Sequence, residues 1–385
     1  MIGWEKALKV GRGIEIFYDK NGKNIIKNEE IGYAKRIFFK DKVLFSSSSN
    51  PFLESKTSKE NLDCFFLPNT IGDFQPKVLL KYDLKSLEDL SENIKKEILN
   101  YNKNLKILKL NLSYSEFYFE LQNSSAAEVS LKNYSINGFA VLSHNNFLIS
   151  FSFISNQDLS ISLTDYLLSI EPYFHLPLFP FDLKPSRLPV LLFPNTLSFI
   201  FENLKEHFLK GSLPNLPDGF LLKDKPFLKK SPNFFPIDGE GSLKNEFIIK
   251  NKNIPYDIYN GFLEGKKTTS NSLRNSIYNP PEVGFHNIVL EGLEGDPKNL
   301  DSYLAITFPK KIEEMSPFFI LNAEGFLYKK NKITNYLPSI YAKFTLNDFF
   351  SGFYFIKKPL LFYSSTTSCG APFLFLRGLS IYPVL

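Results

Sequence analysis

The chain has 385 residues, 43% apolar and 22% charged, which is the make-up of a globular protein with room for two or three domains and a sizeable core. Lys and Arg number 45 against 40 acids; a balance of +5 is mild, and no basic run interleaved with aromatics points to nucleic acid. No apolar run approaches the roughly 18 residues of a membrane span, the opening "MIGWEKALKVGRG" is too charged for a secretory leader, and the two cysteines (Cys64 and Cys369) stand far apart with no CxxC, so we expect a cytoplasmic protein without a disulfide framework or structural zinc.

In chain order, residues 4–10 read as a short helix stopped at Gly11 and Gly13, followed by the alternating strand "IEIFYD". "NIIKNEEIGYAKRIFFKDKVLFSSSSN" reads as three strands with two turns, "KDK" forming the last hairpin tip. "SLEDLSENIKKEILNYN" is a helix: Ser86 can cap it, Asp89 sits at the third helical position, and Leu87, Leu90, Ile94 and Ile98, with Leu99, make its apolar stripe. "LKILKLNLSYSEFYFELQN", "EVSLKNYSINGFAVLSH" and "NFLISFSFI" then alternate as strands. A βαβ rhythm is missing, so the first half is expected to be an antiparallel sheet with helices packed on it.

From about Ile170 to Pro194 six prolines interrupt regular structure, and a domain boundary is placed near Asp182. "TLSFIFENLKEHFL" (196–209) is the second clear helix, "LPNLPDGFLLKDKPFLKKSPNFFPIDGEG" reads as irregular, and the rest reads as many short strands. The expected fold is α+β, with an N-terminal α+β domain over 1–182 and a mainly β domain, barrel- or sandwich-like, over 183–385.

On the second helix, 100° steps put Leu197, Ile200, Phe201, Leu204 and Phe208 in one stripe. Glu202 and Glu206 lie opposite, one turn apart, with His207 at the edge. A zinc-peptidase helix needs two histidines on the metal and a glutamate to take a proton from bound water. HExxH is absent, so spacing alone favours an amphipathic core helix with a wet acidic face.

Several stretches in order resemble the TldD/PmbA family, whose two related subunits, TldD and TldE, form a metallopeptidase. "IEIFYDKNGKNIIKNEEIGYAKRIFFKDKVLFSSSSN" is similar to that family's opening meander, and "LQNSSAAEVSLKNYSINGFAVLSH" to a later strand pair. "LPVLLFPNTLSFIFENLKEHFLKG" resembles its strand into the metal-site helix. "IDGEGSLKNEFIIKNKNIPYDIYN", "VGFHNIVLEG", "AEGFLYKKNKIT" and "GAPFLFLRGLSIYP" resemble its C-terminal motifs. The resemblance implies an HExxxH register in which His207 falls on the second histidine, Glu202 on the first and Asn203 on the glutamate base. Asn cannot take and return a proton at neutral pH. The family's cysteine ligand would fall near Lys358, and Cys369 does not match it.

The resemblance therefore implies the non-metal TldE (PmbA) branch, with no catalytic residue and no cofactor of its own, zinc belonging to a partner subunit. Glu202 and His207 stay as metal candidates, since Glu and His both ligate zinc at about 2.0–2.2 Å. "TTSNSLRNSIYNPP" falls where the family has a segment associated with substrate main chain, which makes Asn271 and Arg274 the substrate-binding candidates. The expected partners are a TldD-like metallopeptidase subunit or a second copy of the chain, and an unfolded peptide. A self-sufficient peptidase built around Glu202, Glu206 and His207 and a homodimeric scaffold are the alternatives. His286 reads as a structural histidine, "DGEG" at 238–241 as a turn without calcium-loop spacing, and His144 and His175 have no partner in sequence. "GRG" at 11–13 lacks the lysine and helix of a phosphate loop.

Overall fold

The computed structural model describes residues 3–39, 43–49, 71–74, 82–155, 163–176, 184–209, 218–228, 234–239, 241–244, 246–249, 272–273, 282–292, 300–350, 353–362 and 368–383, and the positions 214, 216, 231, 294 and 295. The first half builds one sheet from β1 (Gly3–Asp19), β2 (Gly22–Phe38), β3 (Val43–Ser48), β4 (Ile71–Phe74), β5 (Lys106–Asn123), β6 (Glu128–His144) and β7 (Phe147–Ser155). Its order is β3-β2-β1-β5-β6-β4, with β7 on the other stretch of β6. All pairings are antiparallel except β4 on β6.

Two expectations fail here. Residues 4–10 are not helical: they are the start of β1, paired on both sides, with Ala7 opposite Ala34 of β2 and Leu121 of β5. Sheet hydrogen bonds on two flanks outweigh a weak local helix preference. The segment read as two strands and a turn is the single strand β2, whose residues 22–31 are all exposed, so no buried alternation marks it. The "KDK" tip lies outside the described residues. Across the base of β1 and β2, Glu5 and Arg36 form a buried ion pair, with Nε donating to Oε1 at 3.1 Å.

Helix α1 (Leu84–Tyr101) lies on this sheet. Its cap is Asp83, not Ser86: the Asp83 carboxylate accepts the Ser86 N–H at 2.8 Å. Ser86 instead stands at the third helical position, where its own hydroxyl also bonds Asp83. Leu87, Leu90, Ile94 and Ile98 are buried as expected, but Leu99 is exposed. The short helix α2 (Leu163–Leu167) and a 3-10 turn at Glu171–His175 complete this layer. Gly138 of β6 lies directly beneath Phe153 of β7, where a Cβ would come 1.8 Å from the ring.

The second half contains β8 (Ser186–Leu192), α3 (Pro194–Leu209), β9 (Leu221–Asp224), β10 (Phe247–Ile249), β11 (Ser272–Leu273), β12 (Glu282–Val283), β13 (Asn287–Glu291), β14 (Ser302–Met315), β15 (Phe318–Lys329), β16 (Lys332–Phe344), α4 (Leu346–Phe350), β17 (Phe353–Phe362) and β18 (Ser368–Pro383). Strands β8, β14, β15, β16 and β18 pair in a closed ring, since β8 bonds both β14 and β18. From the ring, β18 extends pairing to β17 and, through β13, to β9 and β10. The α+β fold with a barrel-like second half stands as expected. The many short strands do not: β14, β15, β16 and β18 are 12 to 16 residues long. The stretch read as irregular holds β9.

One core joins α3 to a single face of the ring. It contains Val190 and Leu192 of β8, Leu304 and Ile306 of β14, Leu321 and Ala323 of β15, and Leu374 and Leu376 of β18. Burial of this apolar surface, at about 25 cal/mol per Å², is the main force holding helix and ring together.

Candidate functional site

Helix α3 is anchored before its first turn is complete. The Phe193 N–H donates to Ile306 O at 3.1 Å, Asn195 Nδ2 to Thr307 O at 2.7 Å and Thr196 Oγ1 to Ile306 O at 3.2 Å. Pro194 opens the helix, where its missing N–H costs nothing. The stripe Leu197, Ile200, Phe201, Leu204 and Phe208 is fully buried, as its periodicity predicts.

The opposite face holds the metal candidates, and it sends them to different neighbours. Glu202 Oε1 accepts from Lys205 Nζ at 2.6 Å, one turn along the helix. His207 Nε2 is 3.1 Å from Glu314 Oε2 on β14, and its ring meets Phe319 edge to face with centroids 5.2 Å apart. Asn203 folds its amide back on the helix, donating to Phe199 O at 2.8 Å. Glu206 is exposed. Among the described residues no three His, Cys, Asp or Glu side chains gather as a metal site would require. Glu202 and His207 alone do not make up the ligand set of a zinc site.

Asn271 and Arg274 lie outside the described residues. Cys369 is in β18, paired with Ile288 of β13, and Lys358 is in β17. His144 is buried with its ring 5.4 Å from that of Phe174.

A second cluster, assembled from four segments, was not legible in the sequence. Lys244 and Asp224 are both buried, Nζ to Oδ2 at 3.7 Å, and Lys244 also donates to Nδ1 of buried His286. Asp224 accepts the backbone N–H groups of Asn287 at 2.8 Å and His286 at 3.2 Å. Asp238 opens the "DGEG" turn, taking the Ser242 N–H on Oδ1 at 2.8 Å while Gly241 adopts φ +84°. Burial, and then the charge of Lys244, holds the His286 pKa well below the ordinary histidine range. Burial also lowers the Lys244 pKa, against the pull of Asp224 and Asp238. His286 is thus structural, as its sequence context suggested, and its partner is a lysine that no local motif marks.

A third group joins the two halves. The Tyr173 hydroxyl lies 3.0 Å from Thr307 Oγ1 and donates to Glu324 Oε2 at 3.4 Å; Tyr336 donates to the same oxygen at 2.8 Å, and Lys310 lies 3.1 Å from the other. Burial, and then the Glu324 charge, raises the pKa values of both tyrosines far above normal, so they act as donors and stay protonated.

None of these groups presents an open, converging base and metal. The arrangement around α3 is a packed helix with a polar outer face whose side chains bond to separate neighbours.

Residues 206–382 match the model of the PmbA/TldA metallopeptidase C-terminal domain. The crystal structure of TldE from Thermococcus kodakarensis superposes with a TM-score of 0.79 at 13% identity, covering 99% of this chain and 97% of that one. A candidate modulator of DNA gyrase from Bacteroides thetaiotaomicron gives 0.70 at 13% identity over 100% and 95% of the two chains. Another from Thermotoga maritima gives 0.69 at 13% identity over 99% and 96%. At such identity the structures establish the fold. No curated protein sequence matches the chain. Among the described residues no helix is long and apolar enough to cross a membrane.

Proposed function

We propose that this chain, whose residues 206–382 belong to the PmbA/TldA C-terminal domain family, is the metal-free subunit of a TldD/TldE-type peptidase complex. In this reading it pairs in the cytoplasm with a TldD-like subunit that carries zinc, and it helps hold an unfolded peptide for cleavage there. The observation that carries the reading is the outer face of α3. Glu202 is tied to Lys205, His207 to Glu314, and Asn203 to its own helix backbone. A zinc peptidase needs a metal and a base on one side of the scissile bond, and this face sends its Glu, Asn and His side chains to separate neighbours, while its buried face is intact. The division near Asp182 belongs to the same reading: the sheet of β1–β7 comes from residues before it, the ring and its extension from residues after it.

The test mixes the purified chain with its cognate TldD-type subunit. The reading expects a stoichiometric complex by size-exclusion chromatography and faster cleavage of a carboxymethylated, unfolded protein than the partner achieves alone. No complex together with unchanged cleavage overturns it. So does stoichiometric zinc in the isolated chain that is lost on Glu202→Ala, which would mark a peptidase acting by itself.

A further inference from the structure

Strand β8 separates two environments. Val190 and Leu192 enter the core shared with α3, while Leu191 and the following Phe193 face the other way. On that other side lies a cavity of about 600 Å³, in the range of small-molecule sites. Its floor is aromatic: Phe193 and Phe373 meet edge to face at 4.8 Å, and Tyr303 stacks on Tyr328 at 4.7 Å with the rings 10° from parallel. Phe193, Tyr303 and Phe373 are almost fully buried in the protein, so these rings are fixed by packing.

The rim is charged and of both signs. Glu171 comes from the 3-10 turn of the N-terminal half, with the exposed His175 at the end of the same turn, and Lys332 from the start of β16. Glu171 and Lys332 are both exposed, and among the described residues neither is tied up in an ion pair or hydrogen bond. The turn that presents Lys332 is rigid: Lys330 and Asn331 both take the left-handed conformation, and the Lys330 N–H donates to Asp301 O at 2.9 Å. The Glu171 carboxylate is close enough to add to the rise in the Tyr328 pKa, behind burial and Tyr303.

The buried rings of Phe193, Tyr303 and Phe373 turn only their edges to the cavity, and the half-buried Tyr328 completes a floor that holds a ligand ring by edge contacts. One carboxylate and one ammonium on the rim match an ammonium and a carboxylate on a ligand. A neutral apolar ligand would leave both charges idle, and an ion of one sign would meet one of them as a like charge. We propose that this cavity binds a small aromatic zwitterion, an α-amino acid or dipeptide with an aromatic side chain, its amine at Glu171 and its carboxylate at Lys332. The proposal does not depend on a peptidase partner, because it concerns a cavity of the chain alone.

Isothermal titration calorimetry on the full chain, without partner, decides it. The probes are L-phenylalanine, the dipeptide Phe-Phe, 2-phenylethylamine and 3-phenylpropionate. Saturable binding of a zwitterion, with each singly charged analogue about fivefold or more weaker, is expected from rim charges of this exposure. A tighter L-phenylalanine assigns the free amino acid, and a tighter Phe-Phe assigns the dipeptide. Glu171→Gln should weaken the zwitterion about fivefold and spare 3-phenylpropionate; Lys332→Met should weaken it equally and spare 2-phenylethylamine. Both positions are exposed, so both variants keep the fold. No binding of either zwitterion, equal affinity for all four probes, or no effect of either substitution overturns the proposal.

Discussion

Lys244→Met is the sharpest test of the buried cluster. The lysine is about 2% exposed, with Asp224 at 3.7 Å and the His286 ring nitrogen as its acceptor. Met has similar length and no charge, so the substitution removes the ammonium and leaves the carboxylate buried. Breaking one side of a buried pair costs about 3–5 kcal/mol. Asp224 keeps its two backbone N–H donors, which places the loss near the low end, about 3 kcal/mol. Lys244→Met with Asp224→Asn removes both charges and should recover much of this, giving a coupling of about 2 kcal/mol in a double-mutant cycle. Urea unfolding followed by far-ultraviolet circular dichroism is the suitable assay, because the single tryptophan, Trp4, sits in β1 of the other sheet. A single-mutant loss below about 0.5 kcal/mol, the size of an ordinary surface change, would refute the claim that the pair holds this region together.

Three further outcomes are expected. His286 has a folded pKa below its unfolded value of about 6.5, so the unfolded chain takes up a proton that the native chain refuses. Its contribution is therefore present above about pH 6.5 and lost as pH falls, by up to about 1.4 kcal/mol per pH unit, a slope that His286→Gln should remove from urea midpoints measured between pH 6.5 and 5. Gly138→Ala drives a Cβ into the Phe153 ring and should cost about 1–3 kcal/mol in the same urea assay, with Phe153→Leu in the same chain giving part of it back. Tyr173→Phe keeps the ring against Phe326 but deletes the hydroxyl at Thr307 and Glu324; a loss of about 1 kcal/mol is expected, and a neutral result would mean that this contact does not help join the halves.

The fold was legible where one face is buried and the other wet. Helices α1 and α3 and strands β5, β6 and β7 repeat their apolar residues at the right period, and each was found close to its observed bounds. Strand β2 was cut in two because its first ten residues are exposed on both faces and offer no alternation. The long strands of the ring were read as short ones for another reason. Their pairing is interrupted by register shifts between Ile306 and Phe308, Pro309 and Lys311, and Ala323 and Gly325, and each shift flips which residues face inward. At the candidate site, the helix and its buried stripe could be read, but not the neighbours of its outer face. Glu314 lies 107 residues from His207, and Lys244 lies 42 from His286. Contacts between segments that distant leave no local pattern.

Helix α3 also shows how a scaffold can be fixed independently of its outer face. The helix is held by the apolar stripe and by Asn195 and Thr196 bonded to β14, and neither depends on positions 202 or 203. Asn203 is exposed and Glu202 half-buried, so both can be exchanged without opening the buried stripe. What the outer face then gains is local: Glu202 takes Lys205, and His207 finds an acidic partner in Glu314 and an aromatic edge in Phe319. Each of these contacts draws a side chain away from a common point. The outer face is thus ordered by separate contacts, each to its own neighbour, while the buried stripe alone fixes the helix on the ring.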